Sequence, residues 1–349
     1  MHSALPIFPE AALAAPWGLF EMLLLVTFTA HLLVMNVALG GALLALFAPG
    51  RERATAGIWA RKLPTSVAIA VNLGVPPLLF ASVLYGQALY TAAILSAVTW
   101  LSFFMVIMVA YALLYLFQPR AAQAGGGLLV ALAAMLLLAA SLIMVNVSTL
   151  SIRPGVWKAY FDQPDGTIIN LGDPTFMPRW LHFVTAALAV GGLFLALLRR
   201  RAAAGGDMAA IRMVRLGLAW FTWATLSQVV VGGWFLFSLP EGVWLGFLSG
   251  ESLYAFVLVL GLILAGVALY YGFRGAVGRA AIFVTGTVFC MVVVRDLVRR
   301  AQLPPKLLPD ALPLMPQYGP FLMFLGSFLA VAIATIWIVR VYRRTAARG

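Results

Sequence analysis

Charge is what this chain has least of. Of its 349 residues only 10% are Asp, Glu, Lys or Arg, while 63% are hydrophobic. A soluble domain carries about 25% charged residues, so these are too few to coat a surface that faces water. No polar block is long enough for a separate soluble domain, and residues 1–349 read as a single transmembrane domain. Cysteine is nearly absent as well. The one thiol, Cys290, lies inside a hydrophobic run, which excludes a disulfide framework and a thiolate metal cluster. No Cys-x-x-Cys-His occurs, so haem is not attached covalently in the c-type manner. The first 18 residues lack both a basic n-region and an early apolar core, and are not expected to be a cleaved signal.

The net charge of +12 is no sign of nucleic acid. The basic residues fall in short clusters between apolar runs, the pattern that orients a polytopic protein in a bilayer. A hydrocarbon core needs roughly 20 apolar residues per helix. Such stretches are expected at about 17–48, 65–86, 88–118, 126–150, 177–198, 209–238, 252–273, 279–300 and 317–340. Backbone in lipid must satisfy its own hydrogen bonds, so these should be helices. The break between the second and third is inferred from Tyr85-Gly86-Gln87 alone. With the N-terminus outside and the C-terminus cytoplasmic, 16 of the 23 Lys and Arg fall on the inner side and seven on the outer. The expected location is the bacterial inner (cytoplasmic) membrane. The longest outer loop, about 151–176, reads either as a folded cap over the helix ends or as a lid or a docking surface for a periplasmic partner.

Polar side chains inside spans are functional candidates by default. His2 lies in the tail, which leaves His31 and His182. From His31 the sequence runs HLLVMNVALGGALLALF, and from His182 it runs HFVTAALAVGGLFLALL. The pairs Gly40-Gly41 and Gly191-Gly192 follow at the same offset, each with Leu-Ala-Leu beyond. A parallel internal repeat of four-helix units is expected, with halves about 17–150 and 177–300 and the helix 317–340 added. Arg51 lies 20 residues after His31 and Arg199 lies 17 after His182. At about 1.5 Å per residue, both imidazoles sit roughly 25–30 Å from the inner face.

Three readings of this pair stay open. Each histidine can simply hydrogen-bond a neighbouring helix. Each can hold haem, with the glycine pairs making room for the macrocycle, although glycine is also ordinary helix-packing material. Or the pair can belong to a proton or ion transporter. That last reading lacks carboxylates: only Glu21, Glu251 and Asp296 lie in or beside spans, all towards outer ends.

Several short motifs resemble subunit I of the cytochrome bd-type quinol oxidases over roughly residues 17–238. They are the histidine of the first span, Leu73-Gly74-Val75 followed by Gly86, Asn146-Val147-Ser148, and Asp173-Pro174 ahead of His182. The resemblance implies that His31 ligates a high-spin haem b. It implies that His182 ligates a low-spin haem b whose other axial ligand is a methionine. Met323, in Met-x-x-Gly-x-Phe, is the expected ligand, and Met291 is its rival. The family's glutamates in its second and third helices have no counterpart in PPLLFASVLYG or AILSAVTWLSFFMVIM. Its quinol loop is cut down to about Leu239–Gly250. Oxygen reduction consumes protons, so this loss argues against that chemistry and against haem d.

The reading that follows is a quinol-oxidising, haem-b electron-transfer subunit with one or two haems. It would exchange electrons between quinol or quinone and a periplasmic partner such as a c-type cytochrome, alongside other membrane subunits. Glu21 is the expected proton acceptor, and Arg295 would either pair with Asp296 or meet haem propionates. A genuine terminal oxidase, and a transporter or assembly subunit without haem, are the alternatives.

Overall fold

The computed structural model describes residues 12–47, 53–123, 125–249 and 253–346. His2, Arg51, Glu251 and the expected span residues 48 and 252 lie outside these. The described chain is helical throughout: α1 (Trp17–Leu46), α2 (Arg53–Leu95), α3 (Ala97–Arg120), α4 (Gly126–Ser151), α5 (Phe176–Ala204), α6 (Met208–Phe237), α7 (Glu241–Leu248), α8 (Leu253–Phe273), α9 (Val277–Gln302) and α10 (Tyr318–Ala346). A 3-10 turn, Pro154–Phe161, follows α4. Among the described residues nine helices are long and apolar enough to cross a membrane; only α7 is too short. This is the architecture of a multi-pass membrane protein, because a helix is the one open-ended structure that leaves no backbone group unpaired in hydrocarbon.

The spans fall where hydropathy puts them, with one exception. Helix α2 does not end at Tyr85-Gly86-Gln87. Tyr85 leaves helical geometry (φ −130°, ψ 29°), but the chain only kinks there and runs on to Leu95 before reversing at Ser96. The boundary therefore comes nine residues later than the expected one. The reason lies in the use of Tyr85. Its hydroxyl is buried and donates to both carboxylate oxygens of Asp296, at 3.3 and 3.4 Å, so the polar side chain is needed inside the bundle rather than at a loop.

Helices α1 and α5 form the centre: both pack on α4 and α9 and on each other, α1 also on α2 and α5 also on α6. The crossing of α1 and α5 is made of glycine. A side-chain carbon on Gly40 would overlap the backbone carbonyl of Ala187, and one on Gly191 would come within 2.9–3.1 Å of Gly40 and Gly41 backbone. Small residues are how membrane helices bring their backbones together. The second glycine of each pair receives the following helix: Gly41 abuts the Trp59 ring of α2, and Gly192 abuts Gly217, Trp220 and Phe221 of α6.

Helix α10 behaves differently. None of its spanning window is buried. Its entry is fixed by a short backbone pairing, in which Leu13 N–H donates to Pro313 O (2.8 Å), Met315 N–H to Leu13 O (2.9 Å) and Gln317 N–H to Ala14 O (2.9 Å).

Candidate functional site

The two histidines are built into similar surroundings, both half-buried. His31 lies on α1 with Nδ1 2.9 Å from the Ala70 carbonyl of α2. A carbonyl only accepts, so Nδ1 carries the proton and Nε2 keeps its lone pair. One turn along α2 is Gly74, where a side-chain carbon would stand 3.0–3.1 Å from Cε1 and Nδ1 of the ring. The Phe28 ring stacks against the imidazole at 6.2 Å, and the Arg295 guanidinium of α9 lies 4.7 Å over Phe28.

His182 lies on α5 and faces α6. Gly232 is its counterpart of Gly74, with Cε1 and Nδ1 at 3.3 and 3.5 Å from where a side-chain carbon would be. Phe235 lies 6.4 Å away, and the Arg179 guanidinium sits 5.0 Å over Phe235. The difference is at Nδ1. In His182 this atom is buried and has no hydrogen-bond partner.

Helical phase fixes how the two relate. Each histidine precedes the first glycine of its pair by nine residues, which is about 2.5 turns, or half a rotation off phase. Gly40 and Gly191 face each other, so His31 and His182 point away from one another. The first is directed to α2 and the second to α6. They flank the central helix pair on opposite sides and do not converge on one point.

The other site residues sort as follows. Gly40, Gly41, Gly191 and Gly192 are filled by neighbouring helices and border no open space. Met323 is 77% exposed on α10 and is not brought into the bundle beside His182. Met291 is half-buried, its methyl group against Gly261 of α8. Glu21 accepts from Arg300 Nη1 at 3.0 Å. Asp296 does not pair with Arg295. It meets Arg299, at 3.0 Å, the Tyr85 hydroxyl and the carboxyl of Glu21.

What sequence reasoning missed is the arginine content of this end. Arg179 and Arg299 are buried at 6% and 9% exposure. Arg179 precedes His182 by one helical turn, and Arg299 follows Arg295 by another, which puts each pair on one helix face. That spacing was the available signal. The outer loop is fastened by Asp173, whose Oδ1 accepts from the backbone and hydroxyl of Thr175 (2.8 and 2.6 Å) while Oδ2 lies 2.8 Å from Arg153 Nε.

Two cavities open at this end. One, about 10 Å3, is lined by Ser148, Ile152, Val298 and the three arginines Arg179, Arg295 and Arg299. The other, about 410 Å3, lies between Pro154–Val156, Pro240, Val243 and Gln302. Neither is lined by a histidine. Among the described residues no cluster of three or more His, Cys, Asp or Glu could hold a metal ion by itself.

The donor set can be matched to haem. A neutral imidazole with Nε2 free suits an axial position; the glycine opposite each ring lets the imidazole pack close against α2 or α6, and neither cavity reaches a histidine. The fit holds for one histidine per iron, not for both on one. It does not extend to Met323 or to the glycine pairs. Compared with family models and with curated proteins, the chain matches none.

Proposed function

We propose that this chain is a haem-b electron-transfer subunit of the bacterial cytoplasmic membrane, N-terminus outside, exchanging electrons between quinol and a periplasmic redox partner such as a c-type cytochrome. The observation that carries the reading is His31. Its Nδ1–H is tied to a backbone carbonyl, the arrangement that fixes tautomer and ring orientation in a metal-ligating histidine. Haem iron, when bound, supplies a one-electron carrier. His31 and His182 would each hold it through one imidazole nitrogen, on opposite flanks of the α1–α5 pair. The matching surroundings of the two histidines support the parallel repeat.

Quinol fits the larger cavity. Its volume lies within the range of small-molecule sites, roughly 300–1,000 Å3, and its walls combine Ile152, Val156, Val243 and two prolines with Arg153 and Gln302. Gln302 lines it, with its Oε1 buried and accepting no hydrogen bond. Oxidation of a quinol releases two protons with its two electrons. Glu21 and Asp296, the carboxylates inside the bundle at this end, are the groups to take them, with Arg300 and Arg299 holding each in place.

A reduced-minus-oxidised spectrum of the purified protein tests the proposal. A sharp haem b band is the expected result, and the low-spin part of it disappears in His182→Ala while the protein still inserts. Absence of any band in the wild type leaves the transporter or assembly reading. Oxygen uptake with a good quinol donor would instead make the chain a terminal oxidase.

A further inference from the structure

The cation balance of the Trp17 end is uneven. Arg153, Arg299 and Arg300 are each paired with a carboxylate, from Asp173, Asp296 and Glu21. Arg179 and Arg295 lie within 4 Å of no carboxylate oxygen among the described residues. Arg179 is 6% exposed, and its hydrogen bonds are two long ones, at 3.4 Å, to the hydroxyls of Ser148 and Thr175. Its Nε donates to nothing. Arg295 makes no hydrogen bond at all to a described residue; its contact is the Phe28 ring. A ring covers one face of a guanidinium and leaves the in-plane N–H donors unanswered. Burying a cation with no carboxylate in contact is costly, and here the buried Arg179 and the half-buried Arg295 border the same water-sized void.

We infer that Arg179 and Arg295, with Arg299 beside them, form an anion site between α4, α5 and α9 that takes a carboxylate or phosphate. The in-plane fork of a guanidinium matches the paired oxygens of those groups and not a single-atom anion. Two sources carry this chemistry. One is a propionate of a bound haem, which rests on the proposed function. The other is the phosphate of a lipid headgroup, which does not.

Two measurements separate them. In the first, haem-stripped protein is titrated with haem b and with its dimethyl ester. If a propionate is the anion, the wild type prefers the free acid by roughly tenfold or more, the worth of a charge-assisted hydrogen bond. That preference is lost in Arg179→Met and Arg295→Met and partly kept in the lysine variants, which also control for folding. In the second, the thermal midpoint of delipidated protein in neutral detergent is followed against phosphatidylglycerol and against chloride. A rise with the lipid in the wild type, absent in the Arg179→Met/Arg295→Met double variant, assigns the site to a headgroup phosphate. If the chain takes up no haem, the haem reading fails and the second measurement decides alone. No ester discrimination together with no lipid response, or an equal response to chloride, overturns the anion site.

Discussion

Replacing Gly40 by alanine adds one methyl group at the most crowded point of the bundle. The new carbon would overlap the backbone oxygen of Ala187, and backbone cannot rotate aside as a side chain can. Restoring van der Waals distance needs α1 and α5 to part by roughly 1.5 Å, which opens the contacts around Gly191 and Leu43 over the neighbouring turns. Overpacking of this kind costs about 1–3 kcal/mol, and a backbone clash belongs at the top of that range. Alanine returns about 1 kcal/mol through its higher helix propensity. The net loss is about 2 kcal/mol, or a roughly thirtyfold shift towards the unfolded form. Gly266→Ala in α8 is the matched control, because nothing lies within 4 Å of its added carbon; it should be neutral or slightly stabilising. Equilibrium unfolding in detergent micelles reads both. Equal stability of Gly40→Ala and Gly266→Ala would refute the packing argument and with it the placement of the histidines on opposite flanks.

Three further outcomes are expected. Gly232→Val places a branched side chain against the His182 imidazole, and Gly74→Val does the same at His31; each should remove the spectral component of its own histidine and leave the other, as read in difference spectra. Asp173→Asn removes the charge that holds Arg153 while keeping one acceptor for Thr175, so limited proteolysis should cut residues 151–176 faster with the helices intact. Asp207 caps α6 by accepting from the backbone N–H groups of Ala210 and Ala209, and these hold its carboxyl below the ordinary value. Its contribution is therefore fully present above the usual carboxylate range and is lost as pH falls through the lowered value. Hydrogen exchange at Ala209 and Ala210, corrected for intrinsic rates, should accelerate in acid for the wild type and not for Asp207→Asn.

The spans were legible because hydrocarbon imposes one simple demand, length without charge, and the sequence meets it nine times. Punctuation was less legible. Tyr85-Gly86-Gln87 looks like a loop by its polarity, whereas the true reversal at Ser96 is marked by one buried hydroxyl that bonds back to the Ala92 carbonyl. His31 and His182 stood out as polar groups that an apolar chain can ill accommodate. The glycines after them were noticed for the same regularity, but glycine signals open space and close backbone approach in the same letter. Here the helices close on them. Each imidazole instead packs into the space left by Gly74 or Gly232, on a neighbouring helix. The arginine cluster was hidden for a related reason. Arg179 and Arg295 come from α5 and α9, and only the packing of those helices turns two separate basic residues into one site.

The backbone pairing of residues 13–14 with 313–317 has a consequence for how the protein is made. It stitches a segment emerging early from the ribosome to one emerging near the end, closing a loop of about 300 residues. Residues 13 and 14 must therefore wait, unpaired, while α1 to α9 are threaded into the bilayer. Until that late clasp forms, the entry of α10 is not tied to the early segment, and its insertion is a step at which biogenesis can stall with α1 to α9 already seated.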